Sequence, residues 1–385
     1  MSGTWSAVVH VRPSGERLPL LLRPDGVPDQ DVTIYTTRVL RARSGSYNTL
    51  LKALYGVLAL RRFTASSGID LEARIRTQDF LAAWEWSQFV QEVGDGVKSA
   101  TLAARLHDAL RFVAWRIRCR LWDIRDPMLR ADFEGRAALF LDEAAEQIPP
   151  GGGEGSRDAL DPEQRRLLVG ILRSPDELRK LWPNEFARTR NEALLWWLVL
   201  LGHRIGETLA MLLTDLDIDN LRLTIVRRHD SPDDPRGSQR LVKGRGRRLT
   251  VPPALVEPMS LYLEMRRAMP LTHDYLFAAA TGGPLSGSAV TKVLARLVTM
   301  HPALTGITPH VLRHTWIAEF RAAAKSAGLD EADKSCAEAL AMGWSDPASD
   351  RFYAIRQRLD AAEAISLRLQ REMMGGAPPP DRGAP

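Results

Sequence analysis

Thr308-Pro309-His310-Val311-Leu312-Arg313-His314-Thr315, followed by Gly343-Trp344 and by Phe352-Tyr353, is the stretch on which the reading of this chain turns. Residues three and four apart share a helix face, so His310, Arg313 and His314 gather within about one turn. Arginine meets phosphate oxygens with a planar fork, and a nearby imidazole donates a hydrogen bond or accepts a proton. Tyr353 supplies a hydroxyl that could act as a nucleophile. Taken singly, a His-x-x-Arg pair also fits a solvated helix face, and a tyrosine after phenylalanine also fits a core.

Working outward, a run of apolar residues from Ala193 to Leu201 is about half the length of a membrane span and reads as a buried helix. It leads into Gly202-His203-Arg204-Ile205-Gly206-Glu207. An arginine abutting so apolar a helix is tolerated only when paired, and Glu207, one turn on, is the evident partner. The pair fits a structural ion pair or an arginine held rigid and aimed at an anion. Leu221 to Val226 and Arg248 to Val251 alternate as strands. Between and beside them Arg236, Arg240, Lys243, Arg245, Arg247 and Arg248 form a cationic run that fits either a solvated hairpin tip or a track along a nucleic-acid backbone.

At 385 residues the chain has room for two or three domains. Its net charge of +5 favours a polyanionic partner, of which nucleic acid is the commonest. Cys119 and Cys336 are too few for a disulfide framework or a zinc site, which points to a reducing, cytoplasmic setting. The start, Met-Ser-Gly-Thr-Trp-Ser, carries no signal-peptide pattern, and no membrane association is expected. Residues 1–45 read as an N-terminal extension, with one or two short strands or an irregular arm before residue 36. Helical spacing from Ser46, around Asp79 to Val93 and from Ser99 to Arg120 makes 46–145 a small helical domain. The Pro-Pro-Gly-Gly-Gly segment marks a linker over 146–160. Asp161-Pro162-Glu163 caps the first helix of a second domain, 161–374, and residues 375–385 read as a disordered tail. The predicted fold class is mainly α with a small antiparallel sheet, α+β overall.

Taken together, Arg204 with Glu207, Lys243, His310-x-x-Arg313-His314, Trp344 and Tyr353 occur in the order that characterises the tyrosine recombinases, the lambda-integrase or phage integrase family, which this chain resembles from about residue 165 to 360. Arg204-Ile205-Gly206-Glu207 resembles the family's first arginine box and His310 to Thr315 its second, while 46–120 resembles its helical core-binding domain. The resemblance implies a site-specific recombinase that closes around double-stranded DNA, cuts it through a 3′-phosphotyrosine link and rejoins it without metal, cofactor or ATP. Arg204 and Arg313 would clamp the scissile phosphate, Tyr353 attack it, His310 help take the tyrosine proton, Lys243 protonate the leaving 5′-oxygen and Trp344 donate its indole N–H. Most members carry histidine where Trp344 stands, so this position can assist binding but not proton transfer. The interval from Arg313 to Trp344 is several residues longer than usual, with 325–334 as the insertion. His203 replaces a small or apolar residue, and His314 is read as support behind Arg313. The resemblance further implies self-association, as a tetramer on DNA, accessory proteins, and work at the nucleoid. The amphipathic stretch from Leu359 to Leu369 packs either on its own domain or on a neighbouring protomer. The rival readings are a type IB topoisomerase-like enzyme and an inactive DNA-binding accessory protein of the same fold.

Overall fold

The computed structural model describes residues 3–43, 46–151, 159–228, 230–237, 239, 246–328, 331–342 and 364–369, leaving aside the side chains of 331–333, 336 and 340. The chain divides into two compact units, Met1–Ser156 and Arg157–Pro385. Both are mostly helical, and the strands form two small antiparallel sheets among the described residues.

The first unit begins with a hairpin, β1 (Ser6–Val11) and β2 (Arg17–Leu22), in which Ser6 faces Leu22 and Val11 faces Arg17. Helix α1 (Gln30–Ile34) is capped by Asp29, whose carboxylate accepts from the Val32 N–H; it runs on through a π-helical turn, Tyr35–Leu40, into α2 (Arg41–Arg43). The long helices follow: α3 (Tyr47–Ser66), α4 (Leu71–Thr77), α5 (Ala83–Gly94), α6 (Ser99–Asp123) and α7 (Pro127–Glu146). Two of these go beyond what the spacing announced. Helix α4 is short, and α7 has no clean apolar stripe, yet both starts are written locally. Asp70 and Asp126 each accept two backbone N–H groups of the first turn, and Pro127 takes the first helical position, where a missing N–H costs nothing. Helix α5 starts later than Asp79 because Glu85 accepts from the Ala82 N–H at 2.7 Å, closing the first turn there.

Buried leucines and aromatic rings, Phe63, Trp86, Phe89, Phe112 and Phe133 among them, fill the core of this unit. Helices α3 and α6 cross closely at Gly56, where a Cβ would lie 2.4 Å from the Arg105 carbonyl oxygen. The N-terminal residues belong to this core: Leu21, Val32 and Tyr35 are buried in it. Arg116 of α6 ties them to α4, donating to Asp31 at 2.7 Å and to Glu72 at 2.6 Å.

In the second unit α8 (Pro162–Leu172) starts at Asp161, which accepts from the N–H groups of Glu163 and Gln164, both at 2.8 Å, as the Asp-Pro-Glu pattern predicted. Helices α9 (Pro175–Leu181) and α10 (Glu185–Leu201) follow. The run Ala193–Leu201 is buried throughout, so α10 is the helix around which the unit packs. After α11 (Ile205–Ala210) comes a three-stranded sheet: β3 (Leu216–Asp217), β4 (Arg222–Ile225) and β5 (Arg247–Thr250), with Leu223 opposite Leu249 and Ile225 opposite Arg247. Then come α12 (Pro253–Arg267), α13 (Gly287–Met300), α14 (Pro309–Ser326) and α15 (Glu331–Met342). Residues 364–369 are helical, and Ile365 and Leu369 are buried in the core of this same unit. No described helix is long and apolar enough to cross a membrane.

Candidate active site

The site is assembled at one end of α10. Gly202 ends that helix in the left-handed conformation, φ 59°, which an L side chain rarely adopts. A second constraint acts there: a Cβ would lie 2.6 Å from Cγ of Trp316. Trp316, on α14, lies against the turn and donates its indole N–H to the Leu200 carbonyl at 3.0 Å. Helix α14 is itself started by Thr308, whose hydroxyl accepts from the Val311 N–H at 3.1 Å, with Pro309 in the first position. These contacts hold the beginning of α14, with His310 and Arg313, against the 202–204 turn.

Arg313 is 3% exposed and donates from Nη1 to the Gly202 carbonyl at 2.9 Å. Burial, and then the charge of Arg204, pull its pKa down to about 10, with Glu207 opposing and Arg247 adding to the fall. Arg204 stands two residues along the same turn and caps α11. Its backbone N–H donates to Glu207 at 3.2 Å, and its guanidinium lies 3.6 Å from the same carboxylate. Nη1 of Arg204 is buried and makes no hydrogen bond among the described residues. The structure thus brings Arg204 and Arg313 together across three residues of backbone.

Glu207 is fully buried, and among the described residues Arg247 comes closer to it than the Arg204 guanidinium does: the two Arg247 Nη groups lie 3.4 and 3.3 Å from its oxygens. Burial opposes its ionisation, but the charge and hydrogen bonds of Arg247, with the hydrogen bond from the Arg204 N–H, hold the carboxyl below its usual range. In the sequence Arg247 belongs to a cationic run that fits either a solvated hairpin tip or a track along a nucleic-acid backbone, whereas its side chain is buried against Glu207. Strand alternation was the available signal, because Arg247 shares a face with Leu249 and pairs across from buried Ile225. Arg247 also donates Nε to the Ala341 carbonyl at 3.0 Å, tying β5 to the end of α15. Arg236, from the same run, proves structural: it grips Asp234 at 2.8 and 3.0 Å, donates to the Leu209 carbonyl at 2.8 Å and covers the Tyr275 ring at 4.2 Å.

Three guanidinium groups, Arg204, Arg247 and Arg313, therefore share Glu207 as their buried carboxylate among the described residues. Glu338, which also acts on Arg313, is engaged by Arg321 at 2.7 and 2.9 Å. Among the described residues the three guanidinium groups outnumber the carboxylates near them, in a partly buried setting where an anion gains more than it would in water.

His203 lies beneath this cluster, 0% exposed. Trp197 donates its indole N–H to Nδ1 at 3.1 Å, which leaves the proton of the neutral ring on Nε2. Burial foremost, with Arg247 and Arg313 adding and Glu207 opposing, lowers its pKa to about 3, so the ring is neutral at physiological pH. Nε2 makes no hydrogen bond among the described residues. His310, by contrast, is exposed at the second position of α14. His314, whose position in the motif suggested support behind Arg313, has its Nε2 2.9 Å from Nε2 of His310, with ring centroids 4.2 Å apart. Lys243, Trp344 and Tyr353 lie outside the described residues. No group of three or more His, Cys, Asp or Glu side chains gathers as a metal site among the described residues.

This arginine pair, arranged on a short turn between a buried helix and the start of a second one, is set in a segment that matches a known domain: residues 172–333 match the phage integrase family. The matched segment includes Arg204, Lys243, His310 and Arg313 and ends before Trp344 and Tyr353. The chain is 29% identical over 167 residues to the tyrosine recombinase XerC of Bacillus subtilis strain 168, a match covering 40% of this chain and 49% of that protein. It is 32% identical over 135 residues to XerC of Bacillus licheniformis, covering 33% and 39%. The chain thus spans about half, or less, of the length of these curated relatives. In fold it is similar to the XerH site-specific recombinase bound to palindromic difH substrate, with a TM-score of 0.53 at 16% identity, covering 88% of this chain and 89% of that one. It is also similar to the Tn1549 transposon integrase in complex with transposon right end DNA, with a TM-score of 0.51 at 15% identity, covering 86% and 98%.

Proposed function

We propose that this chain is a site-specific DNA recombinase or integrase that cleaves and rejoins duplex DNA through a 3′-phosphotyrosine intermediate. The observation that carries the reading is the convergence of Arg204 and Arg313 on the Gly202 turn, with more positive charge than Glu207 balances. A phosphodiester in that place meets two forks of donors, and charge growing on its oxygens in the transition state is stabilised without reorganisation. In this reading Arg204 and Arg313 hold the non-bridging oxygens, and Tyr353 attacks phosphorus through its hydroxyl. His310 takes the tyrosine proton, and Lys243 gives one to the departing 5′-oxygen. Trp344 donates its indole N–H to the phosphate. The bond energy stays in the phosphotyrosyl link, so resealing reverses the same steps.

The first unit then serves as the helical DNA-binding domain and the second as the catalytic one, acting as a tetramer on DNA in the cytoplasm, with accessory proteins where the site demands them. Binding draws chiefly on phosphate contacts and weakens steeply with salt.

The test uses nicked duplexes from the DNA flanking the gene, incubated with protein in EDTA and resolved on a denaturing gel. The nick releases the 5′ fragment and traps the covalent complex. An SDS-resistant protein–DNA band, absent for Tyr353→Phe, supports the reading. Its absence on duplexes the protein binds would favour the accessory-protein alternative, whereas relaxation of supercoils by monomers at any sequence would favour the topoisomerase-like one.

A further inference from the structure

Two guanidinium groups approach the Glu207 carboxylate, and they do so differently. Arg247 addresses both oxygens, one with each Nη group, at 3.4 and 3.3 Å. Nη1 of Arg204 lies 3.6 Å from Oε1 and makes no hydrogen bond among the described residues. What Arg204 gives to Glu207 is its backbone N–H, at 3.2 Å. The charge of the carboxyl follows the same division: burial opposes ionisation, Arg247 leads the groups that favour it, and Arg204 enters through its main chain. The side chain of Arg247 is 8% exposed and that of Arg204 32%, so the inner arginine is the one spent on the carboxylate.

We propose that Arg247 is a positioning residue for Arg204: by occupying both oxygens of Glu207, it keeps that carboxylate from drawing the Arg204 guanidinium into a closed ion pair, and the fork of Arg204 stays open to an anion. The inference deepens the recombinase reading and rests on it for its consequence in strand cleavage, though not for the pairing itself.

Arg247 is suited to this because it is anchored apart from Glu207. Pairing of β5 with β4 sets it opposite Ile225, and its Nε donates to the Ala341 carbonyl at 3.0 Å, so the guanidinium is gripped at its stem and cannot follow an incoming anion. Without it, a buried carboxylate would face the Arg204 guanidinium alone. Opposite charges attract steeply where water is excluded, and from 3.6 Å the movement to a charge-assisted hydrogen bond is about 1 Å. An arginine closed on a carboxylate brings a phosphate little charge and few donors. With Arg247 in place, the three groups together keep an excess positive charge, and the more exposed member carries it outward.

The experiment compares the full-length wild type with Arg247→Met, which keeps bulk without charge, with Arg247→Lys, and with Arg247→Met combined with Glu207→Gln. The first arm needs no DNA. Phenylglyoxal adds to accessible guanidinium groups and does so slowly where one is closed on a carboxylate, and mass spectrometry follows Arg204 by itself. Modification of Arg204 should be about fivefold or more slower in Arg247→Met and return to within about twofold of wild type in the double variant. The second arm is single-turnover formation of the covalent complex on a nicked duplex at saturating protein. Arg247→Met should be about tenfold or more slower, with DNA affinity within about threefold of wild type. The double variant should recover most of that loss, and Arg247→Lys, which still occupies Glu207, should fall between. A role confined to stability gives no reason for a second substitution to speed the folded protein. Wild-type behaviour of Arg247→Met in both arms, or a double variant no faster than Arg247→Met, would overturn the proposal. Should Arg247→Met not fold, the double variant decides, since it leaves no charge at that place: Arg204 modified at the wild-type rate supports the proposal, and modification slowed about fivefold overturns it. Failure of the wild type to form any covalent complex would refute the recombinase reading and leave the pairing judged on the modification of Arg204.

Discussion

Acid should loosen the second unit through a single buried histidine. The folded-state pKa of His203 is about 3, against an ordinary value of 6.5. The folded state therefore refuses a proton that the unfolded chain accepts. Above the unfolded value both states are neutral and His203 contributes nothing to the pH dependence. As pH falls below it, stability is lost progressively until the folded value is reached. Each pH unit in that window is worth about 1.4 kcal/mol, so the whole span amounts to about 5 kcal/mol, and the part between pH 7 and pH 5 to about 2 kcal/mol. His203→Asn tests this, since Asn cannot titrate and its amide oxygen can stand near Nδ1 to accept from Trp197. Urea unfolding followed by tryptophan fluorescence at both pH values gives a double difference in which the other titrating groups cancel. The variant should be the less stable protein at pH 7, because it leaves a cavity, yet lose about 2 kcal/mol less than the wild type on going to pH 5. Equal losses would mean that the ring is protonated in the folded state and that the environment assigned to it is wrong.

Glu207→Gln should cost about 3–5 kcal/mol in the urea transition, because it leaves the buried Arg247 guanidinium without its carboxylate; a loss under about 1 kcal/mol would refute this. The folded Glu207 pKa is lowered, so its contribution is present above the ordinary glutamate range and fades as pH falls through the folded value. The variant's deficit should therefore shrink in acid. Gly202→Ala forces a left-handed alanine and drives a methyl into the Trp316 ring, for a loss of about 2–4 kcal/mol by thermal melting. Arg313→Ala should lower covalent-complex formation about 10²–10³-fold with DNA binding largely kept, measured by single-turnover assay and filter binding. Retained turnover would place the clamp elsewhere.

Much of this protein could be read along the chain. Helix starts at Asp161 and Thr308 are written in the capping residue and the proline after it, and these are local effects that act before any packing. The buried helix 193–201 followed from an apolar run with no polar face to turn outward. The proposal that Arg204, His310 and Arg313 act as a set came from residue types and their order along the chain, and the fold brings Arg204 and Arg313 together. What the chain could not announce were contacts between elements distant in sequence. Only the fold brings Arg247, 40 residues beyond Glu207, onto that carboxylate, and it separates Arg247 from Arg236 of the same cationic run, which it spends on Asp234 and two carbonyls. Likewise a histidine before an arginine gives no hint of its charge; burial against Trp197, with the Arg247 and Arg313 guanidinium groups near it, makes His203 neutral. Local sequence specifies where helices begin and which faces are apolar, because those depend on neighbours a few bonds away. The ionisation and aim of each charged side chain depend on what solvent has been removed and which partners replace it, and that is decided only when α10, α14 and β5 pack together.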